Sequence, residues 1–129
     1  MKAQYIEIDE DGHKFYYSHK EMTVLHREDG PACECYNGNK VWYQNGKRHR
    51  EDGPACEYAT GDKEWYLNGK LHREDGPACV YTDGSKSWYL NGEHYSEKEF
   101  NEKMKSSKKI NINGKEFTIE ELNSLIAKA

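Results

Sequence analysis

The sequence His-Arg-Glu-Asp-Gly-Pro-Ala-Cys, residues 26–33, is repeated without a change at residues 49–56 and 72–79. We call these eight residues the signature. The copies are 23 residues apart. A fixed period of this length is typical of repeat arrays, in which each unit buries its faces against its neighbours rather than around one central core. The sequence therefore predicts a repeat array.

The sequence of each 23-residue unit predicts short strands joined by tight turns. In the signature, Asp-Gly-Pro indicates a turn, because proline fixes φ and glycine adopts conformations closed to other residues. A short strand, a Gly-containing turn and a strand with Trp-Tyr follow, and Asn-Gly comes next at 45/46, 68/69 and 91/92. Asn-Gly is a strong hairpin signal. We therefore expect a mainly β fold, an elongated antiparallel meander of hairpin repeats.

The chain divides by pattern into three parts. Residues 1–25 look like a degenerate N-terminal capping repeat, residues 26–95 hold the threefold array, and residues 96–129 change to a helical pattern. Capping-box spacing occurs twice in this last part, and it predicts one or two short capping helices, at about 97–105 and 119–127. A Lys- and Ser-rich linker at 105–109 follows the first helix, and a β-turn at Asn113-Gly114 precedes the second. The capping pairs are Ser96 with Glu99 and Thr118 with Glu121.

Strand alternation predicts two unequal faces. Trp65 and Leu67 fall on one face, and Glu64 and Tyr66 on the other. We expect the signature cysteines to join the Trp face as half-buried residues. We also expect them to be reduced, because equivalent positions two strands apart lie about 9 to 10 Å from each other, which is too far for a disulfide. Zinc is the alternative, since Cys33 and Cys35 stand near His26, although this ligand pattern is weak.

Composition narrows the classes of partner. The formal net charge of -4 disfavours general affinity for nucleic acid. No apolar run is long enough to cross a bilayer, and the amino terminus lacks a signal-peptide pattern. We therefore expect a cytoplasmic protein with no membrane partner.

The spacing of Gly-Pro-Ala, Trp-Tyr and Asn-Gly-Lys over residues 9–95 resembles the variant MORN-type repeats of bacterial, bacteriophage and giant-virus proteins. The resemblance implies a row of β-hairpins that serves as a binding scaffold, or as a small antitoxin-like or virus-encoded accessory protein. The His-Arg-Glu-Asp before the glycine departs from the common MORN unit, which argues against the lipid binding attributed to that family. The family pattern includes no catalytic residue.

The His-Arg-Glu-Asp tetrad holds a base, a cation and two carboxylates, which is enough chemistry for metal-assisted hydrolysis. An active site, however, needs different residues converging on one point, whereas three identical tetrads form rows along one edge. We favour a structural role, in which Asp29, Asp52 and Asp75 accept bonds within the turns and the Arg and Glu residues pair across neighbouring repeats.

The leading functional hypothesis is a non-enzymatic scaffold, virus- or phage-encoded, that binds and modulates a host or bacterial protein such as a defence or nucleic-acid enzyme in the host cytoplasm. Aromatic residues and arginines are enriched in interface hot spots. Two alternatives are a nucleotide- or small-anion-binding sponge and a metal-dependent hydrolase at the tetrad edge. The hypothesis includes no cofactor, metal or catalytic residue, and self-association stays open. The predicted binding residues are Trp42, Trp65, Trp88, Tyr43, Tyr66, Tyr89, Arg27, Arg48, Arg50 and Arg73.

Overall fold

The computed structural model describes residues 4–107 and 109–127, apart from the side chains of residues 106, 107, 109 and 119. The chain divides into two compact units, Met1–His94 and Tyr95–Ala129. We call them the array and the C-terminal unit.

Between residue 4 and the first helix the structure describes thirteen short strands, and nine of them form one antiparallel sheet in the order β1-β2-β3-β4-β7-β8-β11-β12-β13. The chain runs through these strands as a meander, which confirms the predicted fold class. The strands are β1 Tyr5–Ile8, β2 Lys14–Tyr17, β3 Cys33–Glu34, β4 Lys40–Val41, β5 Tyr43–Gln44, β6 Lys47–Arg48, β7 Cys56–Glu57, β8 Lys63–Glu64, β9 Tyr66–Leu67, β10 Lys70–Leu71, β11 Cys79–Val80, β12 Lys86–Leu90 and β13 Glu93–Tyr95.

The Asn-Gly turns close the hairpins β5–β6 and β9–β10, as the sequence predicts. Asn45 and Asn68 have φ values of 52° and 51°, and the glycines that follow them are also in the left-handed region. Two successive positive φ values match the right-handed twist of the strands. The amide of Gly69 also donates to the carbonyl of Arg48 in the preceding hairpin at 2.9 Å. Successive hairpins are therefore joined by the backbone as well as by side chains.

The centre of the array is built from small side chains. Ala32, Ala55 and Ala78, one from each signature, are fully buried, and so is Cys56. The Trp42 amide donates to the Ala55 carbonyl of the next signature at 2.7 Å. Small buried residues let neighbouring repeats approach closely, so that stacked rows replace one large core.

The cysteines lie on the face opposite to the predicted one. In the sheet register Cys56 lies opposite Val41 and Glu64, and Cys79 lies opposite the same Glu64. Directly opposed residues share a face, so the cysteines lie on the Glu64 face and the expectation that they join Trp65 was wrong. All four cysteines are free thiols, with the sulfur atoms of Cys33 and Cys35 3.9 Å apart.

The described residues of the C-terminal unit form two helices and a hairpin: α1 Glu97–Ser107, β14 Lys109–Ile112, β15 Lys115–Thr118 and α2 Ile119–Ala127. Both predicted helices are present. Ser96 and Glu99 exchange the two hydrogen bonds of a capping box, at 3.1 and 3.3 Å. Helix α1 extends to Ser107, so most of the predicted linker is helical, and Lys108 lies outside the described residues. No helix in the described part of the chain is long and apolar enough to cross a bilayer.

Candidate binding clefts

Each signature arginine folds back over its own loop. In the second copy, Arg50 donates from Nε to Asp52 at 3.0 Å and from Nη1 to the Pro54 carbonyl at 3.1 Å and to Glu57 at 3.2 Å. Arg27 makes the same three bonds in the first copy. Hydrogen bonds between charged groups are stronger than neutral ones. The aspartates therefore accept bonds within the turn, as predicted.

The signature glycine provides room for this arginine. A Cβ atom at Gly53 would lie 3.0 Å from Arg50 Cζ, and one at Gly30 would lie 2.9 Å from Arg27 Cζ. Neither glycine has a positive φ, although other glycines of the array do. The expectation that these glycines are needed for an unusual backbone conformation was therefore wrong. A glycine is needed here because the guanidinium occupies the space that a side chain would fill.

The guanidinium also stacks on an aromatic ring of the preceding repeat. The Cζ atom of Arg50 lies 3.9 Å from the centroid of Trp42, and that of Arg73 lies 3.9 Å from Trp65. Arg27 stands over Tyr16 at the same distance. Such a contact contributes about 0.5 to 2 kcal/mol, depending on solvent exposure. The arginines thus reach across repeats to a ring, while their carboxylate partners come from their own repeat, which corrects the predicted cross-repeat ion pairs.

The signature histidine supports the next Asn-Gly turn. The Nδ1 atom of His49 accepts a hydrogen bond from the amide of Asn68 at 2.9 Å, and His26 and His72 do the same for their turns. An imidazole that accepts at Nδ1 carries its proton on Nε2. In His49 this Nε2 lies 3.5 Å from Glu51. The Nδ1 atom therefore has a structural role, and Nε2 faces a carboxylate of its own loop.

Two equivalent clefts separate the three signature loops. The first cleft lies between the loops that begin at His26 and His49, has Trp42 and Gln44 on its floor and a volume of about 630 Å³. The second cleft lies between the loops that begin at His49 and His72, has Trp65 and Leu67 on its floor and a volume of about 640 Å³. The middle loop forms a wall of both clefts.

Each cleft is lined by two arginines and four carboxylates. The Glu51 and Asp52 side chains are 83% and 85% exposed, whereas the Arg50 side chain is 22% exposed. Burial lowers the pKa of the Arg27 guanidinium, but the hydrogen bond to Asp29 and the other contacts outweigh it, so its pKa is raised. The bond from Arg73 lowers the pKa of Asp75. The groups that face solvent in the clefts are therefore mainly negative.

The predicted binding residues divide between two places. Trp42, Trp65 and the three signature arginines meet at the clefts. Arg48 instead donates to the Tyr66 hydroxyl at 3.3 Å and lies over its ring at 5.3 Å. The residues that do not line either cleft are Trp88, Tyr43, Tyr66, Tyr89 and Arg48. Half of the predicted set thus lines the two clefts.

A cluster on the face opposite the tryptophans consists of Cys56, Tyr58, Glu64, Cys79 and Tyr81. Glu64 accepts hydrogen bonds from the Tyr58 hydroxyl at 2.8 Å and the Tyr81 hydroxyl at 3.4 Å. Burial raises the pKa of the Cys56 thiol to about 11, and burial and the bond to Glu64 raise the pKa of Tyr58. Both side chains stay protonated at neutral pH, so Cys56 does not act as a thiolate nucleophile.

Among the described residues, one group of three possible metal ligands lies within 4.8 Å, and it consists of Asp9, Asp11 and His13. Asp9 Oδ1 already accepts from the amides of Asp11 and His13 at 3.0 and 2.9 Å. His13 Nδ1 accepts from the Tyr36 amide. These bonds account for the cluster as a turn. The described signature residues form no comparable group.

Sequence reasoning missed the acidic walls of both clefts and Gln44 in the first cleft, whereas it had already placed Leu67 on the face of Trp65. The acidic wall residues are part of the signature itself. Their negative charge dominates the clefts because the arginines bond to groups of their own loops. Gln44 and Leu67 each stand two residues after a tryptophan, on the same face by strand alternation. The same spacing that placed Leu67 beside Trp65 could have identified Gln44 as its equivalent in the first cleft.

Compared with known proteins, the chain matches no family, no curated protein and no solved structure. The resemblance of residues 9–95 to MORN-type repeats stays a prediction.

Proposed function

We propose that the array is a non-enzymatic scaffold that binds another protein in its two clefts. The observation that carries this proposal is the pair of equivalent clefts with aromatic floors on a backbone fixed by hydrogen bonds between repeats. Ring floors with polar rims are typical of protein interfaces. A rigid repeat backbone favours binding further, because little conformational freedom is lost.

The geometry favours a protein partner over a nucleotide or small anion. Each cleft presents four carboxylates, and its two arginines already bond to their own loops. A phosphate group would have to displace those bonds and approach like charges. The anion-binding alternative therefore has less support than protein binding.

The arrangement also gives little support to a hydrolase. The His49 Nδ1 atom accepts a hydrogen bond from the Asn68 amide, and the Asp52 carboxylate holds Arg50. A general base must reach the proton that it removes. Here the groups with catalytic potential hold the loops together.

The identity of the partner is proposed from the resemblance to MORN-type repeats. On that basis the chain is virus- or phage-encoded and acts in the host cytoplasm on a host protein, inhibiting a defence or nucleic-acid enzyme. The clefts support binding, and the resemblance alone supports this choice of partner.

The test is affinity capture from bacterial lysate with two matched double variants. Glu51→Lys with Glu74→Lys reverses two cleft charges, whereas Glu10→Lys with Glu21→Lys makes the same charge change at exposed positions outside the clefts. We expect a stoichiometric partner that the control variant retains and the cleft variant loses. Retention by both variants, or capture of no partner by the native chain, would contradict the proposal.

A further inference from the structure

We infer that the clefts recognise a basic segment in polyproline II conformation, with Lys or Arg at every third position. This inference rests on the proposed function and specifies the chemistry of the partner. It depends on three features of the array, which are the charge of the clefts, their spacing and their floors.

The charge of the clefts favours a cationic partner. Two signature loops border each cleft, and each loop carries one arginine and two acidic residues. Glu51 and Glu74, with side chains 83% and 70% exposed, point their charge toward solvent. An incoming ammonium or guanidinium group is therefore attracted, while an acidic segment is repelled.

The spacing of the clefts favours a polyproline II backbone. Each repeat adds two strands to the nine-stranded sheet. Neighbouring strands are about 4.7 to 4.9 Å apart, which separates equivalent points of the two clefts by roughly 9.4 to 9.8 Å. A polyproline II helix has three residues per turn and rises about 3.1 Å per residue, so its positions i and i+3 lie on one side, roughly 9.3 Å apart. A β-strand instead presents positions i and i+2 on one face, about 6.6 Å apart.

The floors suit the body of a long basic side chain. Leu67 and the part of Trp65 that the Arg73 guanidinium does not cover form an apolar base beneath the acidic walls of the second cleft. A lysine or arginine can lay its methylene groups on such a surface and keep its charge among the carboxylates. Gln44 takes the place of Leu67 in the first cleft. We therefore expect the second cleft to contribute more of the affinity.

The test uses synthetic nine-residue peptides with three lysines and six prolines, labelled with fluorescein and titrated with the full chain by fluorescence anisotropy. One peptide has lysine at every third position, and the other has the three lysines consecutively. Their composition and charge are equal. We expect the periodic peptide to bind at least about tenfold more tightly, and added salt to weaken the binding. Equal affinities, or no binding of the periodic peptide at millimolar concentration, would overturn the inference.

Single charge reversals identify the site on the protein. Glu51→Lys changes the wall shared by both clefts and should weaken the periodic peptide more than Glu74→Lys, which changes an outer wall. The control Glu10→Lys should change the affinity less than twofold. An equal loss from all three variants would mean general charge attraction and would overturn the inference. If the two peptides bind alike while the cleft variant still loses its captured protein, the inference fails and the proposed function stands.

Discussion

The second and third copies of the signature have the same eight residues but hold their arginines differently. Arg50 bonds to Asp52, the Pro54 carbonyl and Glu57. Arg73 bonds to Asp75 at 2.8 Å and to the Pro77 carbonyl at 3.1 Å, and the residue equivalent to Glu57 is Val80. Both guanidinium groups nevertheless lie 3.9 Å from their tryptophan rings.

This difference distinguishes the contacts that position the arginine from the contact that adds to the stability of the loop. The loop and the ring hold Arg73 in position without a carboxylate from the following strand. Glu57 therefore adds stability to a geometry that the signature and the tryptophan already determine. The comparison ranks variants by their expected change in the free energy of unfolding, from the tryptophan ring, with the largest change, to the strand carboxylate, with the smallest.

The largest effect is expected from the ring. Trp65→Ala removes the cleft floor and the stack under Arg73, and should lower the free energy of unfolding by about 2 to 4 kcal/mol. Trp42→Ala should cost a similar amount, because the stacking distance is the same. Urea denaturation measures both, with Trp65→Phe as a control that keeps a ring. A loss for Trp42→Ala below half that for Trp65→Ala would show that the two stacks differ.

The next largest loss of stability is expected from the arginines, and it should differ between Arg50 and Arg73. Arg50→Ala should cost about 2 kcal/mol, since it removes a stack and charged hydrogen bonds. Arg73→Ala should cost roughly 0.5 to 1 kcal/mol less, because Arg73 lacks the second carboxylate. The same denaturation measurement compares them, and Arg50→Lys should recover only part of the loss because lysine lacks the planar fork. Equal losses would contradict the stabilising role of Glu57.

The signature glycines provide a test of the packing. Gly53→Ala should cost about 1 kcal/mol, because its Cβ displaces the guanidinium of Arg50. In the Arg50→Ala background the same change should cost almost nothing, and this double-mutant cycle is measured by thermal and urea unfolding. Additive costs would mean that the glycine serves the backbone and not the arginine.

The smallest stability effect is expected from the strand carboxylate. Val80→Glu should give Arg73 the partner that Arg50 has, and should raise the free energy of unfolding by about 0.5 kcal/mol. The gain should vanish in the Arg73→Ala background. Glu57→Val should have the opposite sign in the second repeat. A gain for Val80→Glu that survives without Arg73 would assign it to another contact.

The signature cysteines extend the comparison to pH. Cys56 is fully buried and its pKa is raised to about 11 by burial. Because the folded-state pKa lies above the ordinary value of 9.0, the thiol favours the folded state fully below pH 9, and this contribution decreases as the pH rises toward 11. Alkylation by iodoacetamide, followed by mass spectrometry, should be slow at pH 8 and accelerate with pH. The urea-unfolded chain is the control, and equal rates at pH 8 would contradict the burial.

The fold was largely predictable because the period, the Asn-Gly turns and the capping boxes are local signals. The two faces were less predictable, since strands such as Cys56–Glu57 are two residues long and alternation cannot be followed through a turn. The place of each cysteine depends on the register between strands, which the sequence does not state.

The site was half predictable for a related reason. Trp42 and Arg50 stand out by residue type, but their contact depends on how the loop beginning at His49 meets the previous hairpin. The role of Gly53 was misjudged because turn propensity and space for a neighbour both favour glycine. The Val80 difference could be read from the sequence, but its meaning required the bonds of Arg50.

The most direct measurement of the central claim is site-specific photo-crosslinking of the full chain in lysate. A photoreactive residue replaces Glu74, an exposed wall residue of the second cleft, or Tyr36, which is 76% exposed and outside the clefts. If the clefts hold a partner protein, the probe at position 74 gives one discrete heavier band and the probe at position 36 gives none. A band from position 36 with none from position 74 would contradict the account.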